Sequence, residues 1–135
     1  MVKIKQSVYP EDYEGAAGFY SPAVKVDLGN AEMIFVTGQQ INLDENGEAA
    51  TDDIAEQTEY VFGQLQKILN GGGFSLNDVV KAQIFLTDIK DFPVVSEIRK
   101  KYFAESKPAS TLVEAGAFVH KGAKIEIEVT AVREK

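Results

Sequence analysis

The segment KIEIEVTAV, residues 124–132, alternates apolar and polar side chains without interruption. In a strand, successive side chains point to opposite faces. The two faces here are made by Ile125, Ile127, Val129 and Ala131 on one side and Glu126, Glu128 and Thr130 on the other. The polar face has two interpretations: it meets water, or a second subunit covers it and partly desolvates a carboxylate such as Glu126. The pattern alone leaves both open.

The rest of the chain supplies further strands and two helices around that segment. Short apolar or alternating runs predict the other strands, at 2–6, 24–27, 33–37, 79–87 and 111–114. One helix is expected from a cap at Thr51 to about Asn70, ended by three glycines at 71–73, and a second from Asp91 to about Ala104. This order predicts an α+β domain, with two helices packed on one face of a six-stranded mixed sheet.

Composition limits the functions to consider. The 135 residues fit one domain, 1–135, and they include no cysteine and a single histidine, His120, so thiolate chemistry and a clustered metal site are not expected. The net charge of −7 repels phosphate backbones, which makes a nucleic-acid partner unlikely on these grounds. No apolar run has the length of a membrane span, and we expect a cytoplasmic protein.

Several stretches, in order and with matching spacing, resemble the RidA/YjgF family over nearly the whole chain. They are YSPAVKV at 20–26, IFVTGQ at 34–39, GGFSLNDVVKAQIFLTDIKDF at 72–92, PASTLVEAG at 108–116 and KIEIEVTAVRE at 124–134. The resemblance implies a fold like that of trimeric chorismate mutase. It also implies a homotrimer with a pocket for a small metabolite at each subunit interface. Members hydrolyse reactive enamines and imines to 2-oxo acids and ammonia, and they need no cofactor.

The resemblance assigns roles to several residues of this chain. Glu126 matches the pocket glutamate that holds the attacking water, and Tyr20 matches a pocket tyrosine. Thr37 and Gly38 match the pair whose hydroxyl and backbone face the ligand. If these roles carry over, Glu126 is the catalytic group and the other three residues bind substrate.

Ser110 departs from the family pattern, because active imine hydrolases have an arginine there that binds the substrate carboxylate. Loss of such a charge-assisted pair costs roughly 2–5 kcal/mol of binding. Ser96 and Leu112 also occupy pocket positions with altered side chains, where asparagine and cysteine are common. Another cation could replace the missing arginine: Lys107, Arg99 or a lysine from a neighbouring subunit, and the sequence does not decide this.

The sequence therefore leaves two main candidate functions, and two further activities also have to be considered. The first is an enamine or imine deaminase, in which poor turnover of carboxylated imines is expected if no cation replaces the arginine. The second is a trimer that binds a small metabolite without turning it over. Ribonuclease activity is disfavoured by the charge and by the absence of a histidine pair, and a chaperone-like role is not testable from the sequence.

Overall fold

The computed structural model describes residues 4–13 and 19–135. These residues form one six-stranded sheet and two α-helices, as the sequence predicted. The strands are β1 Lys5–Val8, β2 Ala23–Asp27, β3 Ala31–Gln39, β4 Val79–Leu86, β5 Ala109–Glu114 and β6 Ile125–Glu134. The helices are α1 Ile54–Gly71 and α2 Phe92–Phe103, and short 3-10 turns at Leu76–Asp78 and Ile89–Asp91 flank β4.

The strand order in the sheet is β1-β2-β3-β6-β4-β5. Neighbours run antiparallel except β4 and β5, which are parallel and are joined by α2. The alternating segment at 124–132 forms most of β6, in the middle of the sheet between β3 and β4. Its central position makes it the scaffold on which both halves of the sheet depend.

Both helices pack on the same face of the sheet, where the core lies. The apolar residues of β6 are buried there, together with Ile34 of β3, Ile84 of β4 and the apolar stripe of α1. Stacked rings join the two helices, with the Phe62 and Tyr102 centroids 4.5 Å apart. Burial of this stripe is the main source of stability, because apolar area removed from water contributes about 25 cal/mol per Å².

In the part of the chain that the structure describes, the opposite face of the sheet carries no helix, yet it is not uniformly polar. Phe35 at its centre remains 47% exposed, with Val24 and Thr130 as its cross-strand neighbours. Val113 of β5 is also exposed on this face. The face is therefore a continuous surface on which apolar side chains and the two glutamates of β6 lie side by side; we call it the open face.

The cap of α1 differs from the prediction. The capping side chain is Asp53, whose Oδ1 accepts a hydrogen bond from the Glu56 amide at 2.9 Å. Thr51 lies two residues earlier, where its hydroxyl donates to the Glu56 carboxylate at 2.6 Å. Both residue types are favoured at helix starts, and the local backbone places the aspartate in the capping position. At the other end the three glycines close α1 as expected, and Gly73 has a φ of +85°.

Several strand boundaries also differ from the sequence interpretation; β3, for example, is two residues longer at each end than the expected 33–37. The first strand, expected at 2–6, is Lys5–Val8, and positions 2 and 3 lie outside the described residues. Val8 belongs to it because Val8 is buried and pairs with Ala23. The strand expected at 111–114 begins at Ala109, so Ser110 lies within it and pairs with β4. This extension fixes the direction of the Ser110 side chain.

Candidate functional site

Glu126 lies near the start of β6 on the open face, and a neighbouring glutamine holds its carboxylate. The Nε2 of Gln40 donates to Glu126 Oε1 at 2.6 Å. The Oε1 of Gln40 in turn accepts the backbone N–H of His120 at 2.9 Å. This second bond sets the orientation of the amide, so that its NH₂ group faces Glu126. One carboxylate oxygen is thereby occupied and the other remains available to a water or a ligand.

Gly38 gives that carboxylate its space. A Cβ added at position 38 would lie 2.8 Å from Cδ and 2.9 Å from Oε2 of Glu126. Contacts below about 3 Å do not occur for real Cβ atoms, so any other residue would push the carboxylate away. The sheet is irregular at this point, because the β3–β6 register shifts between Val36 and Gln39. Bulges of this kind re-aim side chains next to functional sites.

Thr37 links the end of β3 to the segment that carries the tyrosine predicted to line the pocket. Its hydroxyl donates to the Ser21 carbonyl at 2.6 Å, and its amide donates to the Pro22 carbonyl at 2.9 Å. These bonds tie the segment that carries Tyr20, which is 54% exposed, to the end of β3. Burial raises the pKa of the Tyr13 phenol, and the nearby Tyr20 adds to the shift. Thr37 thus links the Tyr20 segment to the end of β3, where Gly38 lies against Glu126; we call Tyr20, Thr37, Gly38 and Glu126 the glutamate cluster.

The other three predicted pocket residues belong to β5 and α2, on the helix side of the sheet. Ser110 and Leu112 of β5 pair with Ala82 and Ile84 of β4, whose side chains are buried beneath the helices. Their side chains therefore point to the helix face of the sheet, towards α2. Ser96 lies on α2 and is partly buried there. We call Ser96, Ser110 and Leu112 the serine cluster.

A cation stands beside Ser110. The Nη1 atom of Arg99 on α2 lies 3.5 Å from the Ser110 hydroxyl oxygen, at the outer limit of a hydrogen bond. The same guanidinium carbon is 5.6 Å from the centroid of the Phe92 ring. Arg99 is one helical turn after Ser96, so both belong to one face of α2. Of the two cations that the sequence left open within one chain, Arg99 is the one that contacts Ser110.

A cavity of about 440 Å³ opens at this position. Its lining combines three cations with apolar and hydroxyl groups: Arg99, Lys100, Lys107, Phe103, Pro108 and Ser110. Among the described residues no acidic side chain lines it, although acids outnumber bases by 21 to 14 in the full sequence. The cavity therefore concentrates positive charge in an acidic protein, as an anion-binding site requires.

The glutamate and serine clusters lie on opposite faces of the same sheet. Glu126 pairs with Phe85, which pairs in turn with Val113, and all three face the open side. Ser110 instead shares the helix face with Ala82 and Val129. Within one chain the sheet itself separates the two clusters, so no single-chain pocket contains both.

Comparison with known proteins agrees with the fold. The family model described as Endoribonuclease L-PSP matches residues 12–133. The chain belongs to the RidA/YjgF family. A RutC family protein of Pyrococcus abyssi is 43% identical over 131 residues, which cover 96% of this chain and 98% of the relative. The human 2-iminobutanoate/2-iminopropanoate deaminase is 37% identical over 120 residues, 88% of this chain and 83% of the relative.

The solved structures of family members share the fold. A Thermotoga maritima structure superposes with a TM-score of 0.82 at 40% identity and covers 96% of this chain and 98% of its own. The fold is therefore chorismate-mutase-like, as the sequence resemblance implied. Within residues 4–13 and 19–135, no three potential metal-ligating side chains cluster, and no helix has the length and hydropathy to cross a bilayer.

Two neighbours of the predicted site residues could not be chosen from the sequence: Gln40, which contacts Glu126, and Arg99, which contacts Ser110. Gln40 contacts Glu126 across 86 positions of sequence, and nothing in the local pattern around Gln40 announces that contact. Arg99 was a candidate only because it is a cation on the right helix. Its proximity to Ser110 depends on the register between α2 and β5, which a sequence pattern does not supply.

Proposed function

We propose that the chain is an enamine or imine deaminase that works as a homotrimer, with each active site between two subunits. The proposal rests on the carboxylate of Glu126, which a hydrogen bond from Gln40 holds in place. Gln40 occupies one of its oxygens, and Gly38 leaves room for the other. A carboxylate in this state is equipped to accept a proton from an attacking water.

The separation of the two clusters supports a shared site. If a pocket is to combine Glu126 with the serine cluster, the clusters must come from different subunits, because the sheet separates them within one chain. The exposed apolar residues of the open face, with Phe35 at the centre, provide a surface that a neighbour would cover. A homotrimer with three equivalent interfaces satisfies both requirements.

The reaction follows from these groups. Water, with a proton passing to Glu126, adds to the carbon of a C=NH₂⁺ group and gives a tetrahedral carbinolamine. Return of that proton to nitrogen makes ammonia the leaving group; the oxygen lone pair re-forms the C=O bond as the C–N bond breaks, and the hydroxyl proton passes by way of Glu126 to ammonia, which leaves as ammonium. The sum is an iminium acid plus water giving a 2-oxo acid plus ammonium. The chemistry is general acid–base catalysis by one carboxylate.

The test is to generate imines from amino acids with an oxidase and to measure how fast the protein converts them to 2-oxo acid and ammonium. Glu126→Gln should lower the rate by about a hundredfold or more. Glu128→Gln is the matched control, since Glu128 lies two residues along the same strand face and pairs with Gln83. Wild type without effect on the imine, or Glu126→Gln as active as wild type, would refute the proposal.

A second function is favoured by one observation, the serine at position 110. A trimer without effective carboxylate recognition would bind a metabolite and release it unchanged. The same assay separates the two functions, because a binding trimer protects or retains the imine without producing ammonium. Equal ammonium release with and without the protein, combined with measurable binding of a 2-oxo acid, would identify the second function.

A further inference from the structure

The cavity beside Ser110 carries an inference that rests on the proposed function and extends it to the substrate. We propose that Arg99 binds the carboxylate of the substrate in place of the arginine missing from β5, and that Lys107 binds a second acidic group. The preferred substrates would then be imines of dicarboxylic amino acids. Glu126 of a neighbouring subunit would act on the C=N carbon between the two subunits.

Arg99 is positioned for this role. The Phe92 ring on one side and the Ser110 hydroxyl on the other hold its guanidinium in place, at 5.6 Å and 3.5 Å. Neither contact uses more than one of its five N–H donors. Among the described residues Arg99 forms no ion pair within 4.0 Å, so its planar fork is available to a carboxylate. An arginine at position 110 would compete for the same space.

Lys107 has an unusual backbone conformation, which indicates that its side chain has a function at this position. It is the one non-glycine residue with positive φ, at 43°, in the described part of the chain. Its amide donates to the Phe103 carbonyl at 3.0 Å and so closes α2 in the left-handed conformation that glycine usually adopts. A lysine there accepts backbone strain that glycine would avoid. Its side chain lines the cavity, which gives a reason for the lysine.

Charge and size favour a substrate with two acidic groups. Lys100 already pairs with Glu97 at 2.9 Å, whereas Arg99 and Lys107 have no acidic partner in residues 4–13 and 19–135. Two unpaired cations bordering one cavity match two carboxylates better than one. The volume of about 440 Å³ also lies within the usual range of small-molecule pockets, about 300–1,000 Å³, and exceeds the needs of a three-carbon imine.

The experiment is calorimetric titration of the intact oligomer with two stable product-like anions, 2-oxobutanoate and 2-oxoglutarate. Wild type should bind 2-oxoglutarate at least about fivefold more tightly, the contribution of one further ion pair. Arg99→Met should weaken both anions by about tenfold or more. Arg99→Lys, which keeps the charge and loses the fork, should fall between them. Lys90→Met, which removes an exposed cation outside the cavity, is the control.

Lys107→Gly separates the second cation from the first. It should weaken 2-oxoglutarate and leave 2-oxobutanoate unchanged, while raising the midpoint of thermal unfolding because the backbone strain is relieved. A variant of Lys107 that unfolded at a lower temperature would show that the lysine stabilises the fold instead. Equal affinity of wild type and Arg99→Met for both anions, or no binding of either anion by wild type, would overturn the proposal.

The outcomes also separate this inference from the proposed function. Glu126→Gln should keep the preference between the two anions, since it removes the water-holding group alone. If anion binding depends on Arg99 but the protein turns over no imine, the deaminase proposal is refuted and the anion site is supported. If wild type and Arg99→Met turn over imines at the same rate, the anion site is refuted and the deaminase proposal is supported.

Discussion

Gln40 and Glu126 lie 86 positions apart in sequence and are joined by a hydrogen bond of 2.6 Å from Nε2 to Oε1. The backbone N–H of His120 holds the other end of the glutamine amide at 2.9 Å. The end of β3, the loop before β6 and β6 itself are thus connected through one side chain. A fully buried amide, Gln57, anchors the same loop by accepting the Lys124 N–H at 2.8 Å. The carboxylate is therefore held by a network of protein hydrogen bonds that spans the end of β3, the loop before β6 and α1.

Gln40→Leu should lower kcat about ten- to hundredfold and change KM less than about twofold. A hydrogen bond to a charged group contributes roughly 1.5–3 kcal/mol, and here it orients the group that moves the proton. Steady-state kinetics on oxidase-generated imines would measure both constants. An unchanged kcat would show that Glu126 keeps its position without the glutamine. A parallel loss of thermal stability would point to a role in folding alone.

Gly38→Ala should reduce activity strongly and stability little. The new methyl group would meet the end of the Glu126 side chain at 2.8 Å, and that flexible end can rotate away. The free energy of unfolding should therefore change by less than about 1 kcal/mol, the range of a tolerated rotamer change. Activity and urea unfolding, measured on the same preparation, test both halves of the prediction.

Gly63→Ala is the matched control for that substitution. Gly63 lies exposed within α1, and an added Cβ would meet nothing within 4 Å. Alanine should raise the free energy of unfolding by roughly 0.5–1 kcal/mol, because glycine is unfavourable within a helix. Activity should stay at the wild-type level. Equal losses of activity in the two variants would mean that Gly38 has no special relation to Glu126.

Phe35→Glu should break the assembly. Phe35 is 47% exposed at the centre of the open face, and a charge there opposes burial by a neighbouring subunit. Light scattering should give about 44 kDa for wild type, three times the 14.8 kDa chain, and the monomer mass for the variant. The variant should also lose deaminase activity while its far-UV circular dichroism is kept. Leu28→Glu, at the exposed β2–β3 turn, is the control.

A monomeric wild type would remove the assembly and the shared site together. A trimer unaffected by Phe35→Glu would place the interface elsewhere on the sheet. Loss of activity in a variant that stays trimeric would indicate that Phe35 contacts the pocket directly.

Glu59 links the helices in a pH-dependent way. Hydrogen bonds from Lys101 and then from Tyr102 hold the pKa of Glu59 below its ordinary value. The charged form is therefore favoured in the folded state, and its stabilisation is complete above the ordinary carboxyl pKa of about 4.3 and fades as pH falls through the folded value. Because the Glu59 side chain is 41% exposed, the effect should stay below about 1 kcal/mol.

Urea unfolding at fixed chain concentration would measure this effect. Glu59→Gln should be less stable than wild type at pH 7, and the difference should shrink towards zero at pH 3. Glu105→Gln, an exposed acid without an ion pair among the described residues, should show no such convergence. A difference between wild type and Glu59→Gln that is independent of pH would assign the effect to packing.

The sequence predicted the architecture because its signals are local. Alternation in β6, the apolar stripe of α1 and the glycines after it each depend on residues a few positions apart. The cap at Asp53 in place of Thr51 and the start of β5 at Ala109 were missed by two residues each. Such boundaries depend on which of two suitable side chains reaches a backbone N–H, and on where a neighbouring strand offers a partner.

The site was predictable in part, since the family motifs assign Glu126 and Ser110 but not their neighbours. The division of the site residues between two faces followed only from the register that pairs Ser110 with Ala82 and Glu126 with Phe85. Register is a property of the whole sheet, and shifting it by one residue reverses every side chain. For the same reason the sequence could name Arg99 as one possible replacement for the missing arginine but could not show that it contacts Ser110.

Exchange of the cation between helix and strand tests whether the Arg99–Ser110 contact explains the missing arginine. Ser110→Arg alone should change activity on carboxylated imines by less than about threefold, because a second guanidinium would lie beside Arg99 and like charges repel. Arg99→Met alone should lose about tenfold or more. The double variant, Arg99→Met with Ser110→Arg, should recover most of that loss, because the fork returns at the neighbouring position.

Rates on one dicarboxylic imine, measured for the four proteins, form a double-mutant cycle whose coupling should be clearly favourable. Additive effects would mean that Arg99 and position 110 do not serve the same carboxylate, and a large gain from Ser110→Arg alone would mean that wild type lacks a carboxylate-binding cation.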